Sequence, residues 1–146
     1  QEFGPERIPT ASPADGVAVK VIAGSVGDVN GPIVQPATDP LYLDIALEAG
    51  RSWEVALPEG HSAFAYAFEG AVEIGVGEEA RALDTQEIAV LGGGDLLALR
   101  AGEAGARLIL VAGRPLREPV ARHGPFVMNT REELMQAFVD FQEGRF

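Results

Sequence analysis

The sequence of 146 residues contains no cysteine, only two histidines and no long apolar run. The lack of cysteine excludes disulfides, zinc-thiolate sites and cysteine nucleophiles. None of the apolar stretches reaches the roughly 18 residues that cross a bilayer, and the amino terminus lacks the basic-then-apolar pattern of a signal peptide. The sequence therefore predicts a soluble, cytoplasmic protein that makes no membrane contact.

Positive charge is also scarce. The sequence has 22 Asp and Glu residues against 11 Lys and Arg, which gives a formal net charge of -11. Because such a chain repels the phosphates of nucleic acids and anionic lipids, we expect no direct nucleic-acid binding. An acidic surface of this kind suits a basic partner instead.

What the sequence does contain is a series of short apolar segments separated by turns rich in Gly, Pro and Asp. About eight to ten such segments, with no helical pattern among them, lie between residues 16 and 113. Their period of two is typical of strands with one buried face. They predict an all-β fold, a double-sheet β-barrel of the jelly-roll type. In the clearest strand, the face predicted to point to the core comprises Leu41, Leu43, Ile45 and Leu47.

The end of the chain differs from this pattern in composition. Prolines interrupt a polar run at residues 114–129, which predicts a connector, because proline cannot continue a central strand. Thr130 and Glu133 have the spacing of a capping box, so a short helix is predicted over residues 130–143 with Gly144 as its stop signal. An isolated helix of this length is marginal in water, so we expect it to be docked on its own barrel, on a missing domain or on another chain.

The residues that carry chemistry form no catalytic or metal-binding constellation. His61 and His123 lie in loops, where each is either a hydrogen-bonded or solvated residue or a ligand or base. No Asp or Glu lies on the core face of a strongly apolar run, and no serine has the context of a nucleophile elbow. The aromatic residues either belong to the core or line a small-molecule cavity with a polar partner. The candidate pocket residues are Arg51, Trp53, His61, Phe64, Tyr66 and Arg100.

The carboxyl-terminal segment carries a specific resemblance. Residues 113–146 contain, in order, the motifs Gly-Arg-Pro-Leu, Glu-Pro, Gly-Pro-Phe-Val-Met-Asn and Thr-Arg-Glu-Glu. This run resembles the end of the pirin family, which is similar to the wider cupin superfamily. Residues 16–24 and 58–75 match the same family. The resemblance thus covers residues 1–146, interpreted as a single cupin barrel with its connector and helix.

The resemblance implies a protein of two tandem barrels that contains iron, described as a quercetin dioxygenase in bacteria and as a transcriptional co-regulator in animals. This chain is similar to the second barrel only, so we expect a piece of a longer protein whose iron lies in an absent amino-terminal barrel. In the first barrel of the family, a His-x-His pair and a later His-x-Glu hold the metal. The corresponding positions here fall near Ala56, Pro58, Arg107 and Ile109, none of which can bind iron in that way.

The resulting hypothesis is a metal-free, non-catalytic carboxyl-terminal cupin domain with a structural or closing role over the iron site of the absent barrel. One alternative is a regulatory module that binds a protein or a small ligand, and another is metal-free catalysis by Arg, Tyr or His. We also expect self-association, as a dimer or a swapped helix, because surfaces that face the missing barrel would be exposed. The candidate contacts are Phe126, Leu134, Phe138 and Phe141.

Overall fold

The computed structural model describes residues 4–145, so residues 1–3 and 146, which the resemblance also covers, lie outside the described range. Within that range the chain forms many strands and one α-helix, which confirms the predicted all-β fold with a short helix near its carboxyl end. The elements are Thr10–Ala14 (β1), Val17–Ala23 (β2), Ser25–Val26 (β3), Val29–Asn30 (β4), Leu41–Leu47 (β5), Ser52–Ala56 (β6), Ser62–Ile74 (β7), Arg81–Leu83 (β8), Ile88–Val90 (β9), Leu96–Gly113 (β10), Ala121–His123 (β11), Phe126–Met128 (β12) and Arg131–Gln142 (α1), with 3-10 turns at Pro5–Arg7 and Gly77–Glu79.

The chain divides into two compact units, one ending at Pro115 and one beginning at Leu116. We call them the barrel unit and the carboxyl-terminal unit. The main sheet of the barrel unit has the strand order β1-β2-β5-β10-β7-β8, and β6 and β9 pair with β10 and β7 respectively. It begins at β1, a few residues before the predicted start of the barrel at residue 16.

Two long strands, β7 and β10, connect the two layers of the barrel unit. Residues 106–113 of β10 pair with β5 and with the first part of β7, whereas residues 96–101 pair with β6 and with the end of β7. The ladder between β10 and β7 shifts register between Ala101 and Ala106. Strands that change layer at such a bulge turn one sheet into a closed double layer. The sequence pattern indicates separate shorter strands here, because glycines interrupt the apolar runs.

The bend of β7 requires a glycine. Gly70 has a φ of 68°, in the left-handed region that residues with a side chain rarely adopt. A Cβ atom at this position would also overlap the carbonyl oxygen of Gly105 on β10. Both the backbone conformation and the close approach of the two strands therefore require a residue without a side chain at position 70.

The core of the barrel unit is a single apolar cluster with members from both layers. Leu43, Ile45, Leu108 and Leu110 are fully buried at its centre. All four predicted core positions of β5 are buried, while the residues between them are partly exposed. The period of two read from the sequence therefore identified the inward face of this strand correctly.

The carboxyl-terminal unit differs from the predicted connector and helix by one element. Residues predicted as a connector contain the hairpin β11–β12, in which Ala121 pairs with Met128 and His123 with Phe126. Gly124 supplies a positive φ of 56° in the turn between these strands. The hairpin is a separate two-stranded sheet, so the prolines before it do not interrupt the main sheet.

Helix α1 begins as the sequence predicts. The Thr130 side chain accepts a hydrogen bond from the Glu133 amide at 3.1 Å, and the Glu133 carboxylate accepts one from the Thr130 amide at 2.9 Å. This reciprocal pair is a capping box. After the helix ends at Gln142, Gly144 has the positive φ of 69° that is typical of a helix stop.

The helix packs on the hairpin through a small apolar cluster of Phe126, Leu134 and Ala137. The Phe126 ring makes edge contacts with Phe138 at 4.8 Å and with Phe141 at 5.7 Å between centroids. Of the predicted self-association contacts, Phe126 and Leu134 are thus buried inside their own unit. Phe138 is half-buried, and Phe141 is 63% exposed and available to a partner.

Candidate functional site

A metal site would be expected in the interior of the barrel, because the resemblance implies that related barrels hold iron there. Its inward-facing positions are apolar, and every described residue that is buried as a whole residue is hydrophobic. Nor do three His, Cys, Asp or Glu side chains of the described chain lie close enough together to hold a metal ion. A transition metal needs several converging nitrogen, oxygen or sulfur donors.

The positions that correspond to the family's later metal ligands lie on β10. The sequence comparison points to Arg107 and Ile109, which are partly exposed, whereas Leu108 and Leu110 between them are 0% exposed. Side chains alternate between the two faces of a strand. The ligand positions inferred from the sequence therefore fall on outward-facing residues, whereas the inward-facing residues of this strand are Leu108 and Leu110. In either register these residues do not fit an iron ion.

The positions of the first ligand pair give the same result on β6. Ala56 is exposed at the end of the strand, and Pro58 follows it in a turn. The inward-facing residue next to them is Val55, which is 4% exposed. None of these side chains carries a donor atom for a metal.

Arg107 has a different role on the outer face of the sheet. Its guanidinium donates to both carboxylate oxygens of Asp44, at 3.2 and 3.1 Å, and lies 3.9 Å from the Glu69 carboxylate. Its central carbon stands 4.9 Å from the centroid of the Phe68 ring, a cation–π contact. Lys20 approaches Asp44 at 3.8 Å from the other side. This group ties β2, β5, β7 and β10 together.

The structure brings only two of the predicted pocket residues together, Trp53 and Arg100, which both line a cavity of about 620 Å³. Arg51 lies in the turn before β6 and pairs with Asp15 at 2.9 Å. Trp53 points inward and packs against the barrel core. Tyr66 lies on β7 between Ala65 and Ala67, which are both 0% exposed, so its ring is on the opposite, outer face. Arg51, His61, Phe64 and Tyr66 are not among the lining residues of the cavity that Trp53 and Arg100 share. Whether any of these residues binds a ligand stays a prediction.

His61 is a hydrogen-bonded loop residue whose side chain is only 4% exposed. Its Nε2 atom lies 2.9 Å from the carbonyl oxygen of Asp39, and its Nδ1 atom lies 3.3 Å from that of Glu59. The Asp39 carboxylate, 3.8 Å from Nε2, also accepts a hydrogen bond from Arg114 at 3.4 Å. The imidazole therefore lies between two loops, and each of its ring nitrogens faces a backbone carbonyl oxygen.

One apolar surface of the barrel unit was not expected from the sequence. Aromatic residues alternate with alanines along β7, and the alanines fill the limited space opposite the large core leucines of β5 and β10. The aromatic rings consequently face outward. Cross-strand pairing aligns them with residues of β9 and β10 in two rows. This outer apolar face comprises Phe64, Tyr66, Ile88, Val90, Ile109 and Val111.

The outer apolar face leaves much of its surface open to solvent. Val90 is 84% exposed, Ile88 is 61% exposed and Phe64 is 38% exposed. Contiguous exposed apolar surface marks a site of interaction more often than isolated exposed residues do. The sequence signal that could have revealed it is the strict Phe-Ala-Tyr-Ala-Phe alternation of residues 64–68. The period of two defines two faces there but does not say which one is buried.

The carboxyl-terminal unit contains a groove between its hairpin and its helix, which we call the tail groove. Its volume is about 820 Å³. Its lining residues are Val120, Ala121, Arg122, His123, Arg131, Leu134, Met135 and Phe138. His123, the second histidine considered from the sequence, lies here with its ring 5.3 Å from that of Phe138 in an edge contact.

No helix within residues 4–145 has both the length and the apolar character required to span a membrane. The prediction of a cytoplasmic location is not tested by this observation.

Comparison with protein families gives a match over most of the chain. A family model described as the pirin C-terminal cupin domain matches residues 42–146. The pirin-like protein of Caulobacter vibrioides is 44% identical over 147 residues, which cover 100% of this chain and 51% of that protein. The pirin of Homo sapiens is 40% identical over 146 residues, which cover 99% of this chain and 50% of the human protein.

Solved structures agree with the sequence relatives. The crystal structure of quercetin 2,3-dioxygenase from Acinetobacter baumannii matches with a TM-score of 0.85 and 32% identity, over 100% of this chain and 50% of that one. Together with the family match, this likeness confirms the predicted cupin-type fold. The chain spans about half the length of the curated relatives that it matches.

Proposed function

Because this chain belongs to the pirin family, whose carboxyl-terminal cupin domain it matches, we propose that it acts as the metal-free half of a two-barrel protein. The other half is an amino-terminal barrel that binds iron. The activity of the whole protein is then of the kind named for its structural relative, a quercetin 2,3-dioxygenase. The present domain has a structural role in this proposal and closes one side of the iron-binding barrel.

The observation that carries the proposal is the chemistry of the barrel interior. Where the family resemblance implies iron ligands, the inward side chains are Val55, Leu108 and Leu110. Oxidation of a flavonol by a bound metal requires donors that hold the ion and leave it an open coordination position. These residues supply neither, so no step of such a reaction is assigned to this chain.

The outer apolar face supports the closing role. Ile88, Val90 and Phe64 are exposed on one face of the main sheet. Complete burial of a large apolar side chain contributes about 1.5–3 kcal/mol, so a partner that covers this face would gain several such contributions. An amino-terminal barrel joined to this one is the occupant that we propose.

The experiment that tests this role uses a chimera in which this chain replaces the carboxyl-terminal half of the Caulobacter vibrioides relative. We expect the chimera to contain iron and to turn over quercetin. The variant Ile88→Glu, with Val90→Glu, should lower its melting temperature and its turnover, because two carboxylates would be buried against the partner barrel. Val34→Glu is the matched control, since Val34 is also apolar and is 79% exposed but lies outside the outer apolar face.

The metal content of this chain alone provides the opposing test. Purified protein loaded with Fe(II) and desalted should retain far less than one equivalent of iron by elemental analysis. Stoichiometric iron that is lost on replacement of His61 would contradict the proposal. So would a chimera whose stability and turnover respond equally to the Ile88 and Val34 substitutions.

Self-association is part of the same proposal. The outer apolar face and the exposed Phe141 are available to a second copy when no amino-terminal barrel is present. Sedimentation of the chain at increasing concentration should show a dimer, and only monomer at high concentration would contradict this. A binding role in regulation remains the alternative function, and the feature that favours it is the tail groove.

A further inference from the structure

The tail groove combines an apolar floor with a basic rim. Leu134 is buried in the floor, and Phe138 is held there by edge contacts with Phe126 at 4.8 Å and His123 at 5.3 Å. At the rim, Val120 is 75% exposed and Met135 is 71% exposed. The aromatic contacts fix the floor in one arrangement, and the two rim residues leave apolar surface that nothing within the described chain covers.

The cations of the groove are unpaired. Within residues 4–145, neither Arg122 nor Arg131 makes an ion pair or a side-chain hydrogen bond. In the barrel unit, by contrast, Arg51, Arg107 and Arg114 each pair with an aspartate, at 2.9, 3.1 and 3.4 Å. Two guanidinium groups beside one apolar groove are therefore left without a counter-charge from the described part of their chain.

The position of Arg131 strengthens this observation. It is the first residue of α1, where the helix dipole places partial positive charge and where acidic side chains are favoured. Glu133 in the same turn is already engaged in the capping box. A cation at this place would be stabilised by an anion from outside the unit.

We propose that the tail groove binds an acidic amphipathic segment of a partner protein. Apolar side chains of that segment fill the floor over Leu134 and Phe138, and its carboxylates pair with Arg122 and Arg131 along the rim. This is the pattern of a helix docked in a groove, with apolar anchors on one face and charge complementarity at the edges. The proposal uses no residue of the barrel unit and does not depend on an iron-binding partner.

A polypeptide segment fits the groove better than a small anion does. Sites for small molecules place a few polar groups inside the cavity, where they fix the orientation of the ligand. Here Arg122, His123 and Arg131 are all exposed, and the buried residue that lines the groove, Leu134, is apolar. An apolar interior with charges confined to the rim is instead the usual composition of a protein–protein interface.

The test is a binding titration of the full chain with a labelled helical peptide of about 16 residues, with Leu at positions i, i+3, i+4 and i+7 and Glu elsewhere. A peptide with the same leucines and Lys in place of Glu is the charge control. We expect the acidic peptide to bind and the basic one to bind at least tenfold more weakly. Added salt should weaken the acidic complex.

Variants of the chain locate the binding site. Arg122→Glu combined with Arg131→Glu should weaken acidic-peptide binding by about tenfold or more, because like charges then face each other across the rim. Arg117→Glu is the matched control, an exposed arginine of the same unit that does not line the groove, and it should leave the affinity nearly unchanged. Met135→Ser should also weaken binding through loss of apolar contact, and circular dichroism checks that every variant retains its fold.

Three outcomes would overturn the proposal. The first is equal binding of the acidic and basic peptides, and the second is an acidic-peptide affinity that the double arginine variant leaves unchanged. The third is a dimer of the chain that dissociates in the Arg122→Glu, Arg131→Glu variant, which would show that the natural occupant is a second copy.

Discussion

The barrel unit and the carboxyl-terminal unit are stabilised in different ways. The barrel unit contains 7 Lys and Arg against 17 Asp and Glu, a net charge of -10, and is organised around one large apolar cluster. The carboxyl-terminal unit contains 4 Arg against 5 Asp and Glu, a net charge of -1, and among its described residues only three apolar ones are buried. The first depends on its core, whereas the second depends on local hydrogen bonds and on a few ring contacts.

The largest expected effect concerns the core of the barrel unit. Leu108 is 0% exposed, so Leu108→Ala leaves a cavity and should lower the free energy of unfolding by about 2–5 kcal/mol. Urea denaturation followed by Trp53 fluorescence measures it, and Leu108→Ile is the volume-conserving control. A loss below 1 kcal/mol would show that the barrel does not depend on close packing at this point.

A smaller loss is expected at the bend of β7. Gly70→Ala forces a residue with a side chain into a positive φ and against Gly105 on β10, at an expected cost of about 1–3 kcal/mol. Gly60→Ala is the control, because Gly60 has a positive φ of 75° but no neighbouring atom within 4 Å. The difference in melting temperature between the two variants measures the destabilisation that comes from the close approach of β7 and β10. Equal melting temperatures would contradict a contribution from this close approach.

In the carboxyl-terminal unit the main loss should come from the helix cap. Thr130→Ala removes the acceptor of the Glu133 amide and should destabilise α1 by about 1 kcal/mol. Amide hydrogen exchange of residues 131–142 reports the change, and Thr130→Ser should retain protection. If hydrogen exchange in the barrel unit increased as much as in the helix, the two units would not be stabilised in different ways.

The smallest effect is a pH dependence at the end of the helix. Hydrogen bonds from Arg145 at 2.7 Å and from Gln136 at 2.9 Å hold the pKa of Asp140 below its ordinary value. Since the folded pKa is the lower one, this stabilisation is present above the unfolded pKa of about 4 and is lost as the pH falls through the folded pKa. Arg145→Ala should raise the pKa of Asp140 in a carboxyl NMR titration, and an unchanged value would refute the assigned cause.

Several features of the fold could be predicted from the sequence because they depend on local patterns. The alternation in residues 41–47 identified the inward face of β5, and the spacing of Thr130 and Glu133 identified the start of α1. The motifs near the carboxyl end identified the family that the comparisons show. Each of these signals lies within a few consecutive residues.

Features that depend on distant partners could not be predicted in this way. The alternation of β7 defines two faces, but the leucines of β5 and β10 decide that the alanines point inward and the aromatic rings outward. The continuity of β7 and β10 through their glycines depends on the ladder between them. The tail groove depends on a hairpin that the prolines of residues 114–129 obscured. No pattern in the sequence shows that Arg122 and Arg131 lack acidic partners among residues 4–145.

The central position of β10 has a consequence for the order in which the protein can form during synthesis. Asp44 and Arg107, which pair across β5 and β10, are separated by 63 positions in the chain. A ribosome that has produced β5 must therefore translate most of the barrel before the partner strand emerges. Folds dominated by such distant pairings form slowly, on the scale of milliseconds to seconds. Until β10 arrives, the early strands have unpaired edges, and this is the stage at which a chaperone would protect the nascent chain from aggregation.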